Sequence, residues 1–479
     1  MSRSDAPGGA GHTRRRRIIA IAAAVSFLSF FDLSVINVML PSIERTLGAG
    51  NGAVQWVVSG YSLMFALALV PAGRLGDARG RRHALILGLA LFTGASAVAG
   101  TAGSGTALVV ARLAQGAAAG VLVPQLTALV EELFRPERRG RPFGLLGATA
   151  SVATAIGPVI GGLIITLGGV ENGWRLVFLG NVPIGVVAAV LVWRLFPAKP
   201  LSGPKDHRPD LIGTLLLGIG MMLVILPALQ REQWPGLLPW LLLPAGIGVL
   251  FAFRSWEIST ARRHPPVFDF HLLTHRTYRL GLLLGFFYYA GFTSLPLMFS
   301  LHLQYGLHRS PLHTGLTIAP FAAGSALGAL LGGRHVERLG RRLIAVGLLT
   351  VLASLALMIA LTSVTGTTFS VLNSFPLLLA GVGSGLVITP NNTLTLAQVP
   401  IRNAGSAAGM YRTMRQAGAA IGLAVISATL LGSVTANNGD WSTALRHALG
   451  VEFGIVTAAL LTVLAGIVGG HRRPLDSAA

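Results

Sequence analysis

Two ionisable residues interrupt the long uncharged stretches of this chain. Asp32 follows the run Ile19–Phe31, and Arg112 follows His83–Ala111. A carboxylate inside an apolar helix costs several kcal/mol unless it is neutralised, paired or hydrated. Such a group suits proton uptake from one side of a barrier and release on the other; it equally suits a structural ion pair. Arg112 is the candidate partner, either in handling the proton or in bracing the helices. Other chemistry lacks its residues. There is no cysteine, which removes disulfides, thiol catalysis and Cys-ligated metals. No His-Glu-x-x-His occurs, and no carboxylate pair is spaced for Mg²⁺. Lys199 and Lys205 are the only lysines, and neither follows a glycine as a P-loop requires. No catalytic residue, metal or bound cofactor is expected, and a proton gradient is the energy source a buried acid would use.

The elements that hold these residues are membrane helices. Of the 479 residues, 52% are hydrophobic and 11% charged, too little charge for a soluble surface of this length. Ala53–Gly73 and Phe143–Val170 are further charge-free runs, and about 20 apolar residues span the hydrocarbon. The pattern predicts about fourteen spanning helices: 18–40, 53–73, 83–103, 105–130, 143–168, 175–196, 211–230, 237–256, 278–303, 313–333, 343–363, 370–395, 406–432 and 449–470. At 1.5 Å per residue, Asp32 lies roughly 21 Å from one face and Arg112 about 10 Å from the other, at similar depth in a core of about 30 Å. Arg14–Arg17 precede a run too long for a cleavable signal peptide, so the first helix is expected to be retained.

The net charge of +20 is not a nucleic-acid patch. It is spread through alternate loops: Arg14–Arg17, Arg79–Arg82, Arg135–Arg141, Arg334–Arg342 and Arg472–Arg473 on one side, against Arg45, Arg175, Arg231, Arg309 and Arg446 on the other. This bias places both termini in the cytoplasm of a multi-pass cell-membrane protein. The chain is also duplicated. Gly73–Arg82 recurs as Gly333–Arg342, and Gly116, Gly120, Gly140, Gly144 and Gly157 recur 265 residues on as Gly381, Gly385, Gly405, Gly409 and Gly422. The implied organisation is a tail at 1–17, a six-helix bundle at 18–196, a linker at 197–277 with an inserted helix pair, a second six-helix bundle at 278–470, and a tail at 471–479. Transporters are commonly built from such parallel repeats, with a site between the halves. Leu377 matches Arg112, and helix 278–303 carries no acid, so the buried charge is expected in the first half alone.

The loop Gly73-Arg-Leu-Gly-Asp-Ala-Arg-Gly-Arg-Arg82 resembles the signature loop of the major facilitator superfamily. Arg112-Leu-Ala-Gln115-Gly116 with Gly120 resembles its fourth-helix motif, and Gly144, Gly157-Pro158 and Gly161-Gly162 resemble the fifth-helix motif of its antiporters. Phe31-Asp32 through Asn37 to Pro41, and Trp174-Arg175 through Asn181 to Gly185, resemble its fourteen-helix drug:proton antiporters. The resemblance implies an all-α polytopic fold of two six-helix bundles plus the inserted pair. It implies a cytoplasmic latch at Gly73, Arg74, Gly76, Asp77, Gly80 and Arg81, echoed at Glu337, with Asp77 pairing Arg81 or a helix terminus. It also implies a monomeric antiporter of protons and small molecules. The bare residues fit plainer readings: a basic loop, and a small-residue face for helix packing against 313–333 or 278–303.

Candidate walls of a substrate cavity are Asn37, Trp56, Tyr61, Gln115, Tyr288, Tyr289, Met298, Asn391 and Asn392, with packing and lipid-facing roles equally open. Pro390-Asn391-Asn392 is expected to break its helix. Arg412 and Arg415 are expected to snorkel to the cytoplasm, and His302, His308 and His313 to lie in an outer loop. The expected function is export of amphipathic molecules, cationic ones included, coupled to protons through Asp32 and Arg112. A dedicated exporter of one metabolite and a proton-coupled importer are the rivals. Small molecules, protons and the lipid bilayer are the expected partners, with no nucleic acid.

Overall fold

The computed structural model describes residues 8–134, 140–196, 210–229, 238–260, 268, 270–362, 367–397, 399 and 404–468. Among them every regular element is helical. Twelve helices are long and apolar enough to cross a membrane, one of them running from Leu145 to Leu195 as two passes, and Ile212–Val224 is a shorter apolar helix. The two arms of that long helix account for the thirteenth pass and the short helix for the fourteenth.

The first half comprises α1 (Gly8–Leu47), α2 (Asn51–Gln55) continuing through a π-turn (Trp56–Gly60) into α3 (Tyr61–Arg79), α4 (Arg81–Gly100), α5 (Gly105–Leu133) and α6 (Gly140–Leu195). Within α6 the chain reverses at Gly169, whose φ of 78° only glycine adopts cheaply. After the inserted α7 (Leu211–Leu229) and α8 (Leu238–Thr260), the second half comprises α9 (Arg276–Phe292), α10 (Leu295–Leu301) with a π-turn (His302–Gly306), α11 (Pro311–Leu339), α12 (Arg341–Leu361), α13 (Thr367–Leu396), α14 (Ala404–Ala436) and α15 (Trp441–Val468). Several of these outrun their sequence bounds. α13 passes through Pro376 and Pro390 without a break, because helices packed in a membrane re-satisfy the freed carbonyls.

The sequence repeat becomes a repeated crossing. A Cβ on Gly116 would overlap the Tyr61 carbonyl, and one on Gly120 would crowd the Phe65 carbonyl; in the second half Gly381 meets Phe321 and Gly385 meets Ser325. Each pair of glycines lets two backbones touch, which is how membrane helices gain packing energy when lipid tails are as apolar as leucine. Both glycines of the duplicated tight turn take a positive φ: 91° at Gly80 and 51° at its counterpart Gly340.

The halves meet along three seams. α6 crosses α11, where a Cβ on Gly162 would sit 2.5 Å from the Pro311 carbonyl and one on Gly315 would overlap that of Pro158. The small-residue face of helix five therefore packs on 311–339 rather than on 278–303, while Gly157 and Gly161 face Ser34 and Val35 of α1. α3 packs on α14 through Leu63 and Ala66 against Met410, Ala417 and neighbours, and α7 covers this seam with Leu217 and Met221. The third seam joins α1 to α10: Ser300 Oγ donates to the Asn37 carbonyl, Gln304 Nε2 to that of Val38 at 3.1 Å, and the Tyr305 hydroxyl bonds Glu44. That seam closes the face opposite the arginine-rich turns.

Gly162→Ala and Gly315→Ala are each expected to cost about 1–3 kcal/mol through overpacking. Thermal unfolding of the detergent-purified variants checks this, with Gly147→Ala, where nothing lies within 4 Å, as the silent control.

Candidate functional site

Asp32 and Arg112 come together at the centre of the first half. Asp32 Oδ2 lies 2.6 Å from Arg112 Nη1, and both side chains are completely buried. Five helical segments build the shell. Asn181 of α6 donates to Asp32 Oδ1 at 3.0 Å, and Gln115 Nε2 reaches the same oxygen at 3.5 Å. Gln115 also accepts from Arg112 Nη1 at 3.0 Å and donates to Ser96 Oγ of α4 at 2.8 Å. Arg112 Nε donates to the Val57 carbonyl at 3.2 Å. That carbonyl lies in the π-turn, whose wider pitch disturbs the ordinary i→i+4 ladder and makes such acceptors available. Below the guanidinium lies the Tyr61 ring, 4.3 Å from Cζ, with Phe178 at 5.8 Å. One donor, Arg112 Nη2, finds no acceptor.

Two of these participants carry no warning in the sequence: Ser96 looks like an ordinary helix residue, and Val57 acts through its backbone, whereas Asn181 stands in the Trp174–Gly185 segment that carries the family resemblance. Tyr61 and Gln115 were candidate cavity walls; both are fully buried supports of the ion pair. A charge pair this enclosed survives only because nearly every lone pair and proton has a partner. Nearby, Trp174 is fully buried, and Arg175 stacks over it at 4.3 Å while donating to the Ala102 carbonyl at 2.6 Å, pinning α6 to the α4–α5 turn.

The arginine-rich turn is tied to α5. Arg81 pairs with Glu132 of α5 at 3.0 Å and donates to Gln125 and the Gly73 carbonyl. The side chains of Arg74 and Asp77 lie outside the described residues, as does the packing around Gly144. A Cβ on Gly76 would collide with Gln125 and Arg81, whereas one on Gly73 would meet nothing within 4 Å. Glu337 is exposed on α11.

Other candidates disperse. Asn37 bonds the Ser34 carbonyl, Met298 is packed between α1 and α10, and Tyr288 donates to Ser384 at 2.5 Å. Asn391 joins the Gly281 carbonyl to the Tyr411 hydroxyl, while Asn392 points outward and is exposed. Trp56 and Tyr289 are half-buried between the halves. His302 sits buried in the π-turn against the Trp441 carbonyl, not in a loop. Arg412 and Arg415 do not snorkel. Arg412 donates to Thr127 of α5 at 3.0 Å, and Arg415 stacks on Tyr289 with Cζ 4.0 Å from the ring centre. Nor is buried charge confined to the first half: Glu452 of α15 is 1% exposed, and its Oε2 has no hydrogen-bond partner.

A buried acid–base pair inside a duplicated helical bundle, with a glycine face at the seam between the halves, fits a transporter architecture. The model of the Major Facilitator Superfamily matches residues 22–423. The chain belongs to this superfamily. It is 32% identical over 445 residues to the probable actinorhodin transporter of Streptomyces coelicolor, covering 89% of this chain and 76% of that protein. It is 32% identical to the drug efflux pump JefA of Mycobacterium tuberculosis (89% and 83% covered) and 34% identical to the cephamycin export protein CmcT of Amycolatopsis lactamdurans (88% and 86%). Among solved structures it resembles a bacterial homolog of the human lysosomal transporter Spinster, with a TM-score of 0.69 at 16% identity over 99% of this chain and 100% of that one. A D-xylose–proton symporter aligns with a TM-score of 0.64 at 14% identity over 94% and 98%. These last two show the fold. The chain is a multi-pass membrane efflux transporter of the superfamily, not an enzyme.

Breaking the pair from one side leaves an uncompensated buried charge. Arg112→Gln is expected to lose about 3–5 kcal/mol, and Asp32→Asn/Arg112→Gln to recover most of that. Thermal unfolding of the single and double variants gives the coupling energy.

Proposed function

We propose that this transporter is a proton-coupled antiporter that exports amphipathic small molecules by alternating access, with both termini in the cytoplasm. The observation that carries the reading is the Asp32–Arg112 pair, wholly enclosed and held by α1, the α2–α3 π-turn, α4, α5 and α6. Protonating Asp32 removes its charge attraction to Arg112, so the hold of α1 on α5 weakens. The same α1 carries, five residues on, the Asn37 carbonyl that receives Ser300, and next to it the Val38 carbonyl that receives Gln304. Release at Asp32 and opening of the α1–α10 seam are thereby properties of one rigid helix. Coupling follows when proton and substrate bias the same two states.

In the resting state the pair holds α1 against α5 and the α1–α10 seam is shut. Substrate enters from the cytoplasm or inner leaflet. The loaded transporter rocks to a state with the seam parted; a proton entering from the outside neutralises Asp32 and keeps α1 free, and substrate leaves outward. Proton release inward restores the ion pair. Arg81, tied to Glu132, and the Asp77 turn stabilise one access state. The named relatives for actinorhodin and cephamycin favour, as a second reading, a dedicated exporter of one natural product.

In proteoliposomes with an imposed pH gradient, Asp32→Asn is expected to abolish gradient-driven efflux of a dye or antibiotic that the wild type exports. Unchanged efflux overturns the proton role. Asp77→Asn is expected to slow turnover while substrate binding in detergent is retained; lost binding removes the turn from the gating role. A resistance screen in a hypersensitive host separates broad from single-compound export.

A further inference from the structure

Arg415 is a cation placed where the halves meet. It lies eleven residues into α14, about 16 Å along the helix. One turn earlier on the same face, Arg412 reaches across to Thr127 of the first half. The π-turn carrying Trp56 also packs on α14. Gly285 of α9 makes room for the arginine's stem, since a Cβ there would sit 3.2 Å from Arg415 Cγ. The guanidinium lies over the Tyr289 ring, 5.4 Å from that of Tyr411, and bonds the Tyr289 hydroxyl.

No carboxylate answers this cation. The ion pairs formed among the described residues are Arg112–Asp32 and Arg81–Glu132. Arg415 Nε is buried without an acceptor. Asp32 is enclosed in its own half. Glu452 lies on the other side of α9, against Gly291, beyond ion-pair reach of Arg415. A guanidinium in a low-dielectric setting with aromatic faces but no anion leaves part of its desolvation uncompensated. Its planar fork matches a carboxylate with two parallel hydrogen bonds. Tyr289 is half-buried, as are Trp56, Phe286 and Met414 of the cluster at the α3–α14 seam, which supply apolar and π surface between the halves.

We propose that Arg415 is the anion-binding point of the substrate site, and that the transporter selects amphipathic aromatic molecules bearing a carboxylate or phenolate. The inference rests on the export reading and names its substrate class. Asp32 offers no docking point for a cation, because Arg112, Asn181 and Gln115 already occupy its carboxylate. The substrate's acid completes the charge on Arg415, and its ring system stacks along Tyr289 and Phe286.

Purified protein in nanodiscs is titrated with three probes on one ring system: 2-naphthoate, 2-naphthamide and 2-naphthylmethylammonium. Naphthoate is expected to bind at least about tenfold tighter than the amide. The ratio is expected to fall to near one in Arg415→Gln and to an intermediate value in Arg415→Lys, which keeps charge but loses the fork. A wild type that prefers the ammonium or shows no preference overturns the inference, as does an unchanged ratio in Arg415→Gln. Should Arg415→Gln misfold, the unaltered protein decides: naphthoate, but not the amide, protects Arg415 from phenylglyoxal, mapped by mass spectrometry. Equal or absent protection overturns the site. Gradient-driven export with no charge preference defeats this inference alone; anion-selective binding without any export defeats the export reading alone.

Discussion

The low dielectric of the bilayer governs this molecule more than any single contact does. In water a carboxylate and a guanidinium 2.6 Å apart would form one more weak surface pair. Between α1 and α5, with no solvent to fall back on, the same pair must be complete or be absent. Completion draws in Asn181 from α6, Gln115 from α5, Ser96 from α4 and a carbonyl from the π-turn. The site thus dictates the relative placement of nearly every helix in its half. A structural ion pair and a proton-handling one have the same resting geometry. What distinguishes this pair is that the helix bearing the acid also bears the seam to the opposite half.

Glycine supplies the second constraint. Membrane helices gain nothing by hiding from lipid, so close backbone approach has to substitute for hydrophobic burial. The chain meets this twice with one solution: Gly116 and Gly120 on α3, Gly381 and Gly385 on α11. The crossings make each half a rigid unit. The seams between halves are of another kind, mixing close glycine packing at α6–α11 with hydrogen bonds to carbonyls at α1–α10. Carbonyl acceptors exposed by small shifts of a helix can exchange partners, as a surface that must open and close requires.

What the sequence disclosed follows from these constraints. Helix number, the repeat, and the depth match of Asp32 with Arg112 are one-dimensional signals: run length, spacing and charge. Glu452 escaped because the turn before it was set too late. Placing the last helix at 449 puts Glu452 at its edge, whereas Asp440 accepts from the Ser442 and Thr443 amides and starts α15 at Trp441. An Asp N-cap after Asn437-Asn438-Gly439 was the available clue. Arg415 escaped for a different reason. Its helix was located correctly, but snorkelling is a default for an arginine with no visible partner, and its partners are aromatic faces contributed from α9, about 126 residues earlier in the chain. Ser96 and the Val57 carbonyl have no sequence signature at all, since a polar helix residue and a π-turn announce their role only in three dimensions.

The two halves therefore share a scaffold but not an electrostatic design. Where the first half carries Arg112, the second carries Leu377, fully buried. The second half instead has Arg415 on the face toward its partner and Glu452 behind α9, with Tyr288 and Tyr289 between them. In the first half acid and base neutralise one another; in the second they are held apart. Separation costs stability, and a rigid scaffold built on glycine crossings is what tolerates it. A bundle whose charges are satisfied internally can move a proton without recruiting anything else. A bundle with a half-buried cation at the seam and no carboxylate beside it leaves part of that charge unanswered. The duplication thus provides two copies of one frame, and divergence at a handful of buried positions gives each copy its own electrostatics.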